Sequence, residues 1–354
     1  MEQIWWKYIS KAAYLIRSVS DTLLSGKNLL LVVPDIIPWR DDMMEIISNT
    51  LSSADNERCL KEMECPDQPP GKFLLDSFCK REKRAEYRPG KSIASFLAAS
   101  EGIVLNSSYL WLRNVSEEQL ADWCSFISEY NKAVPNHTQR GIFILEVHKD
   151  IKIPKGISGL HEISLEKLID SFDVYTFCAL SCTEIGFSER ERLYLSQTVS
   201  SVCGQDVELC KYCIAQGKSF LNDPAECLNQ IIENEFRSNG LPFTYPQSSD
   251  TLNTKIWESQ IKTLFPIIEQ YRSRFVKKYY QQIKSALPVE NALGESITSP
   301  CDVELGTLIQ LTAQGIISLS SSEYDLLDCF RTARNTLAHL KVIPYDDAVI
   351  ILRN

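Results

Sequence analysis

The chain has 354 residues, of which 44% are apolar and 23% charged, enough for two or three domains with sizeable cores. That is the profile of a soluble globular protein, and no low-complexity tract interrupts it. A formal charge of −9 excludes a protein that coats nucleic acid with its whole surface, but leaves room for a local basic site.

The amino terminus, MEQIWWKYISKAAYLIRSV, carries Glu2, Lys7, Lys11 and Arg17, which interrupt any apolar core. It therefore reads as neither a secretory signal nor a membrane span. Its apolar residues Ile4, Trp5, Tyr8, Ile9, Ala12, Leu15 and Ile16 recur at helical spacing and predict an amphipathic helix docked on the fold. A helix lying on a membrane surface is the alternative, although such helices usually carry more cations. The expected location is cytoplasmic, with the twelve cysteines reduced and mostly buried as small apolar groups.

Residues 28–34 (NLLLVVP) predict a buried strand, followed by a helix over about 39–51. The stretch Lys80, Arg81, Glu82, Lys83, Arg84, with Arg88 and Lys91, reads as a solvated loop or a phosphate contact. Residues 109–115 (YLWLRNV) predict a second strand. Ser116 and Gln119 then mark a capping box opening a helix that runs to about Ala133. Residues 141–147 (GIFILEV) form an unbroken apolar run, as a central parallel strand should, and 160–164 are a candidate fourth strand. Alternation of this kind predicts an α/β domain over 1–180.

This layout resembles the core of the P-loop ATPases, in particular their AAA and STAND branches, without their motifs. A working phosphate loop needs glycines whose backbone amides cradle phosphate, with a Lys and a Ser or Thr beside them. Here Pro34, Asp35, Ile36, Ile37, Pro38 and Trp39 follow the first strand, and Arg113 and Asn114 stand where a magnesium-binding carboxylate belongs. Glu146 is an isolated carboxylate. The resemblance thus implies a degenerate nucleotide-binding fold without cofactor, kept for protein contacts. An unrelated α/β sheet and an active ATPase with an unusual loop are the alternatives.

Residues 181–248 read as a helical, lid-like region. Within it Cys203, Cys210, Cys213 and Cys227 cluster, and Cys210 and Cys213 have the gap of a zinc knuckle without a matching second pair. The segment looks helical, so core packing or an incidental surface thiol is preferred over zinc and no metal is expected. Turn formers over 239–250 suggest a linker, placing the last boundary before residue 249.

Residues 249–354 read as an all-α bundle. A long helix is predicted over 266–287, with Arg272, Arg274, Lys277 and Lys278 exposed as candidate RNA contacts. Pro288, Gly294 and Pro300 mark a loop, and a second helix begins near Asp302. A third, capped by Ser320 and Glu323, passes through Leu326, Leu327, Phe330 and Leu337, and a last one follows Pro344.

Near the end of the third helix stands Arg334-Asn335-Thr336-Leu337-Ala338-His339. An arginine, a polar neighbour and a histidine five residues on, before a last short helix, resemble the motif of the HEPN family of small all-α RNases and their inactive relatives. The resemblance covers about the last hundred residues and implies Arg334, Asn335 and His339 as catalytic residues; Glu304 is one candidate for the family's further, variable acidic position. Chemically, a histidine can move the proton of a ribose 2′-hydroxyl or of the leaving oxygen. An arginine can fork onto the scissile phosphate. Neither role needs a metal. One histidine per motif implies a homodimer in which two motifs converge. The resemblance further implies a prokaryotic conflict system (antiphage defence or a toxin), with RNA as substrate and other defence proteins as partners. The rival implication is a non-catalytic adaptor that dimerises or docks a nuclease or ATPase.

Overall fold

A computed structural model describes residues 1–135, 139–154, 159–165, 169–245, 248–290, 294 and 296–354. The chain divides into two compact units, Met1–Asp173 and Val174–Asn354.

The first unit opens with two helices, α1 (Glu2–Tyr8) and α2 (Ser10–Leu24), where the sequence suggests one. Ile9 between them is extended and fully buried, which turns the chain while keeping Trp5, Trp6 and Leu15 in the core. There follow β1 (Asn28–Val33), α3 (Arg40–Ala54), β2 (Cys59–Glu64), α4 (Pro70–Phe78), α5 (Arg81–Glu86) and α6 (Ile93–Ala99). Then come β3 (Ser108–Arg113), α7 (Glu117–Ala133), β4 (Ile142–His148) and β5 (Leu160–Ser164). The basic stretch from Lys80 is thus largely helix α5, where a loop was expected.

All five strands are parallel, in the order β2-β3-β4-β1-β5. The three inner strands are apolar and almost wholly buried because helices cover both faces of a parallel sheet. Strand β2 (CLKEME) lies at an edge and mixes partly buried with exposed positions, and its sequence carries no apolar run. Ser116 and Gln119 form the expected capping box at the start of α7. Trp123, Phe126 and Tyr130 on that helix pack against Phe143 of β4, with ring centroids 5.6–6.2 Å apart. Gly141 has a steric reason: a Cβ there would lie 2.8 Å from the Leu105 side chain and 3.0 Å from its carbonyl oxygen.

The second unit is mostly helical. It contains most of α8 (Ser171–Ser181), then α9 (Glu189–Cys203), α10 (Val207–Gln216), α11 (Lys218–Asn222), α12 (Pro224–Asn234), α13 (Ser249–Thr263) and α14 (Phe265–Lys278). After α15 (Tyr280–Ala286) a short antiparallel pair, β6 (Val289–Glu290) and β7 (Ser296–Ile297), leads to α16 (Leu305–Ala313), α17 (Ser321–Ala338) and α18 (Tyr345–Arg353).

The helices read as lid-like, 181–248, and the terminal helices, 249–354, lie within one compact unit, Val174–Asn354. The reason is a buried polar seam: Thr198 of α9 meets Ser259 of α13 at 3.1 Å, and Gln260 donates to the Tyr194 hydroxyl at 2.9 Å. Of the stretch read as linker, residues 246 and 247 lie outside the described residues. The helix anticipated over 266–287 is also two helices, because Tyr279 leaves the helical conformation (φ −106°, ψ 23°). Its hydroxyl donates to Glu323 at 3.0 Å.

Candidate functional site

Helix α17 begins with the anticipated capping box: Glu323 N donates to Ser320 Oγ at 3.3 Å, and Ser320 N to Glu323 Oε2 at 3.1 Å. Leu327, Phe330, Ala333 and Leu337 recur every three or four residues and are buried. That stripe turns Asn335 and His339 outward, and both are exposed.

The helix ends at Ala338, one residue short of the histidine, and His339 is its C-cap. Lys341 N donates to Thr336 O at 3.0 Å and Leu340 N to Leu337 O at 3.1 Å, the paired bonds of a Schellman stop. Such a stop needs a left-handed residue, usually glycine. Leu340 occupies it with φ 58° and is 71% exposed. Leu340→Gly is therefore expected to raise unfolding free energy by roughly 0.5–1 kcal/mol, the left-handed strain of a Cβ less the added freedom of an unfolded glycine. Urea unfolding of the two proteins checks this; a less stable variant would show that the side chain supports the fold.

Arg334 points elsewhere. It is five residues before His339, about 140° away around a helix of 3.6 residues per turn. Its guanidinium donates to Glu304 Oε2 at 3.3 Å, beside a cavity of about 260 Å³ lined also by Glu269, Arg272, Cys301, Asp302 and Leu305. Glu304 thus meets the motif arginine through space. Within one chain Arg334 is brought together with Arg272 and Glu304; His339 does not line that cavity.

The four candidate RNA contacts differ in their surroundings. Arg272 is held by Glu269 at 2.8 Å and donates to the carbonyls of Cys301 at 2.9 Å and Val303 at 3.3 Å. Arg274 donates to the Asn354 carbonyl at 2.9 Å. Lys278 pairs with Glu323 at 2.5 Å. That ammonium, with the Ser320 amide and hydroxyl and the Tyr279 hydroxyl, holds the Glu323 carboxyl down to about 2. Lys277 is exposed. Arg274 and Lys278 also line a second cavity of about 320 Å³ with Tyr271, Phe275 and Tyr279.

Two residues not singled out in the sequence hold the motif in place. Trp257 of α13 donates its indole N–H to the Leu337 carbonyl at 2.8 Å. Gln260, fully buried, accepts from Ile343 N and donates to Ile343 O, both at 2.8 Å. Leu252, Ile256, Ser259 and Gln260 are the buried face of α13, so helical periodicity was the available signal.

In the first unit the carboxyl ends of β1 and β4 lie side by side. The connection after β1 leads to the far edge of the sheet and that after β4 crosses β1, the kind of switch point at which open α/β sheets bind ligands. An ion network occupies this edge. Arg40 pairs with Glu146 at 2.7 Å and with Glu62, while Trp111 donates to Glu146 at 2.6 Å. Burial opposes the charge on Arg40, but Glu146 and Glu62 outweigh it and raise its pKa. Alongside, Asp35 contacts His148 at 2.9 Å and also Lys149.

Helix α3 opens on Trp39 in the left-handed region (φ 44°), with Asp41 and Asp42 in its first turn. The Trp6 indole donates to the carbonyls of Pro38 and Trp39, both at 3.1 Å. The turn thus presents carboxylates near the helix start, the opposite of a phosphate cradle.

Among the described residues no group of three or more His, Cys, Asp or Glu is placed to hold a metal ion, and no helix is long and apolar enough to cross a membrane. Compared with models of known protein families and with curated proteins, the sequence matches none.

Proposed function

We propose that the helical unit acts as a HEPN-like, metal-independent endoribonuclease that works as a homodimer within a prokaryotic conflict system, regulated by the α/β unit. The observation that carries this reading is the placing of His339 and Asn335. Both are exposed at the end of a helix whose opposite stripe is buried, so packing does not account for an Asn and a His there. An exposed imidazole can take or give the proton of a substrate hydroxyl. His339 is the one histidine after residue 161, so an acid and a base at one phosphate require two chains. The test is cleavage of single-stranded RNA in EDTA by the intact protein, with His339→Ala beside it. For self-association, sedimentation velocity of the full chain at micromolar concentration is expected to give a dimer. A monomer at every concentration would overturn the two-chain arrangement.

The α/β unit, on this reading, is a P-loop-like fold without nucleotide chemistry. Its support is the edge where β1 and β4 meet, with Arg40 tied to Glu146 and Asp41 and Asp42 at the start of α3. Phosphate approaching that helix start meets like charge. Calorimetry with ATP and magnesium is accordingly expected to detect no micromolar binding; a magnesium-dependent micromolar site would overturn this part.

The second reading is a non-catalytic adaptor that docks a partner nuclease or ATPase. It is favoured by the engagement of Arg334 with Glu304 and of Arg272, Arg274 and Lys278 with groups of their own chain. These cations would have to release such partners before meeting RNA phosphate.

A further inference from the structure

Cys203 is the last residue of α9 and Cys213 lies within α10. Gly204, in the left-handed region at φ 62°, reverses the chain between them. Asp206 caps α10 by accepting from Leu209 N at 3.0 Å, and is itself gripped by Arg237 at 2.5 Å. This braced turn sets the two sulfurs 3.6 Å apart. Both are buried, Cys213 fully and Cys203 to 8% exposure. Lys255 of α13 faces the same turn, its ammonium donating to the Val202 carbonyl at 3.1 Å. Packing needs a small apolar group at each position, but it does not need two sulfur nucleophiles in contact.

We propose that Cys203 and Cys213 form a reversible disulfide when the protein meets hydrogen peroxide, clamping the end of α9 to α10. In the first step the Cys203 thiolate attacks one peroxide oxygen. The O–O bond breaks, hydroxide leaves and takes up a proton as water, and Cys203 becomes a sulfenic acid. In the second step the Cys213 sulfur attacks the Cys203 sulfur. The S–S bond forms, and hydroxide leaves with the Cys213 proton as a second water. Two thiols and one peroxide give one disulfide and two waters, with sulfur oxidised and peroxide oxygen reduced.

The geometry suits this closure. A disulfide has sulfurs about 2.05 Å apart, so from 3.6 Å the pair must approach by about 1.5 Å. The electrostatics assign the roles. Burial opposes ionisation of Cys203, but hydrogen bonding with the Cys210 and Cys213 thiols outweighs it and brings its pKa down to about 6. Burial and the neighbouring Cys203 raise Cys213 well above the ordinary thiol range. Cys203, the less buried of the two, is accordingly taken as the attacking group and Cys213 as the resolving one.

The test treats the full-length, reduced protein with hydrogen peroxide, blocks remaining thiols with N-ethylmaleimide, and reads intact mass and non-reducing peptide maps. The expected result is two fewer maleimide adducts than on the untreated reduced protein, a cross-linked peptide pair containing Cys203 and Cys213, and full reversal by dithiothreitol. The oxidised protein should also melt at a higher temperature. Cys213→Ala should abolish the link and leave Cys203 sulfenic or over-oxidised, while Cys203→Ser should leave Cys213 unmodified. If either variant fails to fold by circular dichroism, the wild-type peptide map alone decides. Oxidation confined to the exposed Cys59 and Cys301, or a bond joining any other pair, overturns the proposal.

Discussion

His339→Ala and Arg334→Ala are each expected to lower RNA cleavage by about 10²–10⁴-fold, the usual loss on removing a general acid–base group or a charge stabiliser. Both residues should be removable without unfolding the protein. His339 is an exposed C-cap whose backbone N–H makes the helix-ending bonds, which alanine keeps. Arg334 is 35% exposed and its partner Glu304 is 63% exposed, so their ion pair contributes at most about 1 kcal/mol.

Cleavage by the wild type should persist in EDTA. Its products should end in a 2′,3′-cyclic phosphate, because the attacking group is the substrate's own hydroxyl. Arg334→Lys should recover little, since an ammonium cannot fork onto two phosphate oxygens. The measurement is product formation by each variant alongside its melting temperature. Equal melting with activity lost favours the enzyme. Full activity in His339→Ala ends the catalytic reading. No cleavage by the wild type, with partner binding lost in the variants, favours the adaptor.

Gln260→Leu should destabilise the helical unit by about 3–5 kcal/mol, although it alters side-chain volume little. The carboxamide makes three buried hydrogen bonds, two to the backbone of Ile343 and one to the Tyr194 hydroxyl. Each group left unpaired away from water costs about 1–3 kcal/mol. Ile343 is 2% exposed and Tyr194 also 2%, so water cannot readily replace the amide. Burial already pushes the Tyr194 phenol up to about 12, against the opposing hydrogen bond with Gln260.

Ile343 follows His339 by four residues, so the same substitution should loosen the segment between α17 and α18 and reduce any activity that depends on His339. Tyr194→Phe, which removes one of the three bonds, should cost about 1 kcal/mol. Denaturant unfolding of both variants measures the two effects. A loss below about 1 kcal/mol in Gln260→Leu would show that the segment finds other partners.

Much of the local structure was legible in the residues alone. The apolar runs NLLLVV and GIFILEV read as buried strands, and the capping pairs Ser116–Gln119 and Ser320–Glu323 mark the starts of α7 and α17. These features are local: a strand buried on both faces needs continuous apolar side chains, and a cap needs a partner three residues on. Strand β2 was not legible, because an edge strand with Lys61, Glu62 and Glu64 has no such run.

Only the tertiary structure decided the strand order, the union of the middle helices with the terminal ones, and the partners of the site residues. Arg272 looks like a free surface cation in the sequence, yet it is bound to carbonyls about thirty residues away. Gln260 looks incidental, yet it clamps a backbone segment 83 residues on. Periodicity and capping act within a few residues and so can be read along the chain. The partners of a buried polar group depend on which segments the folded chain brings together, and no local pattern carries that information.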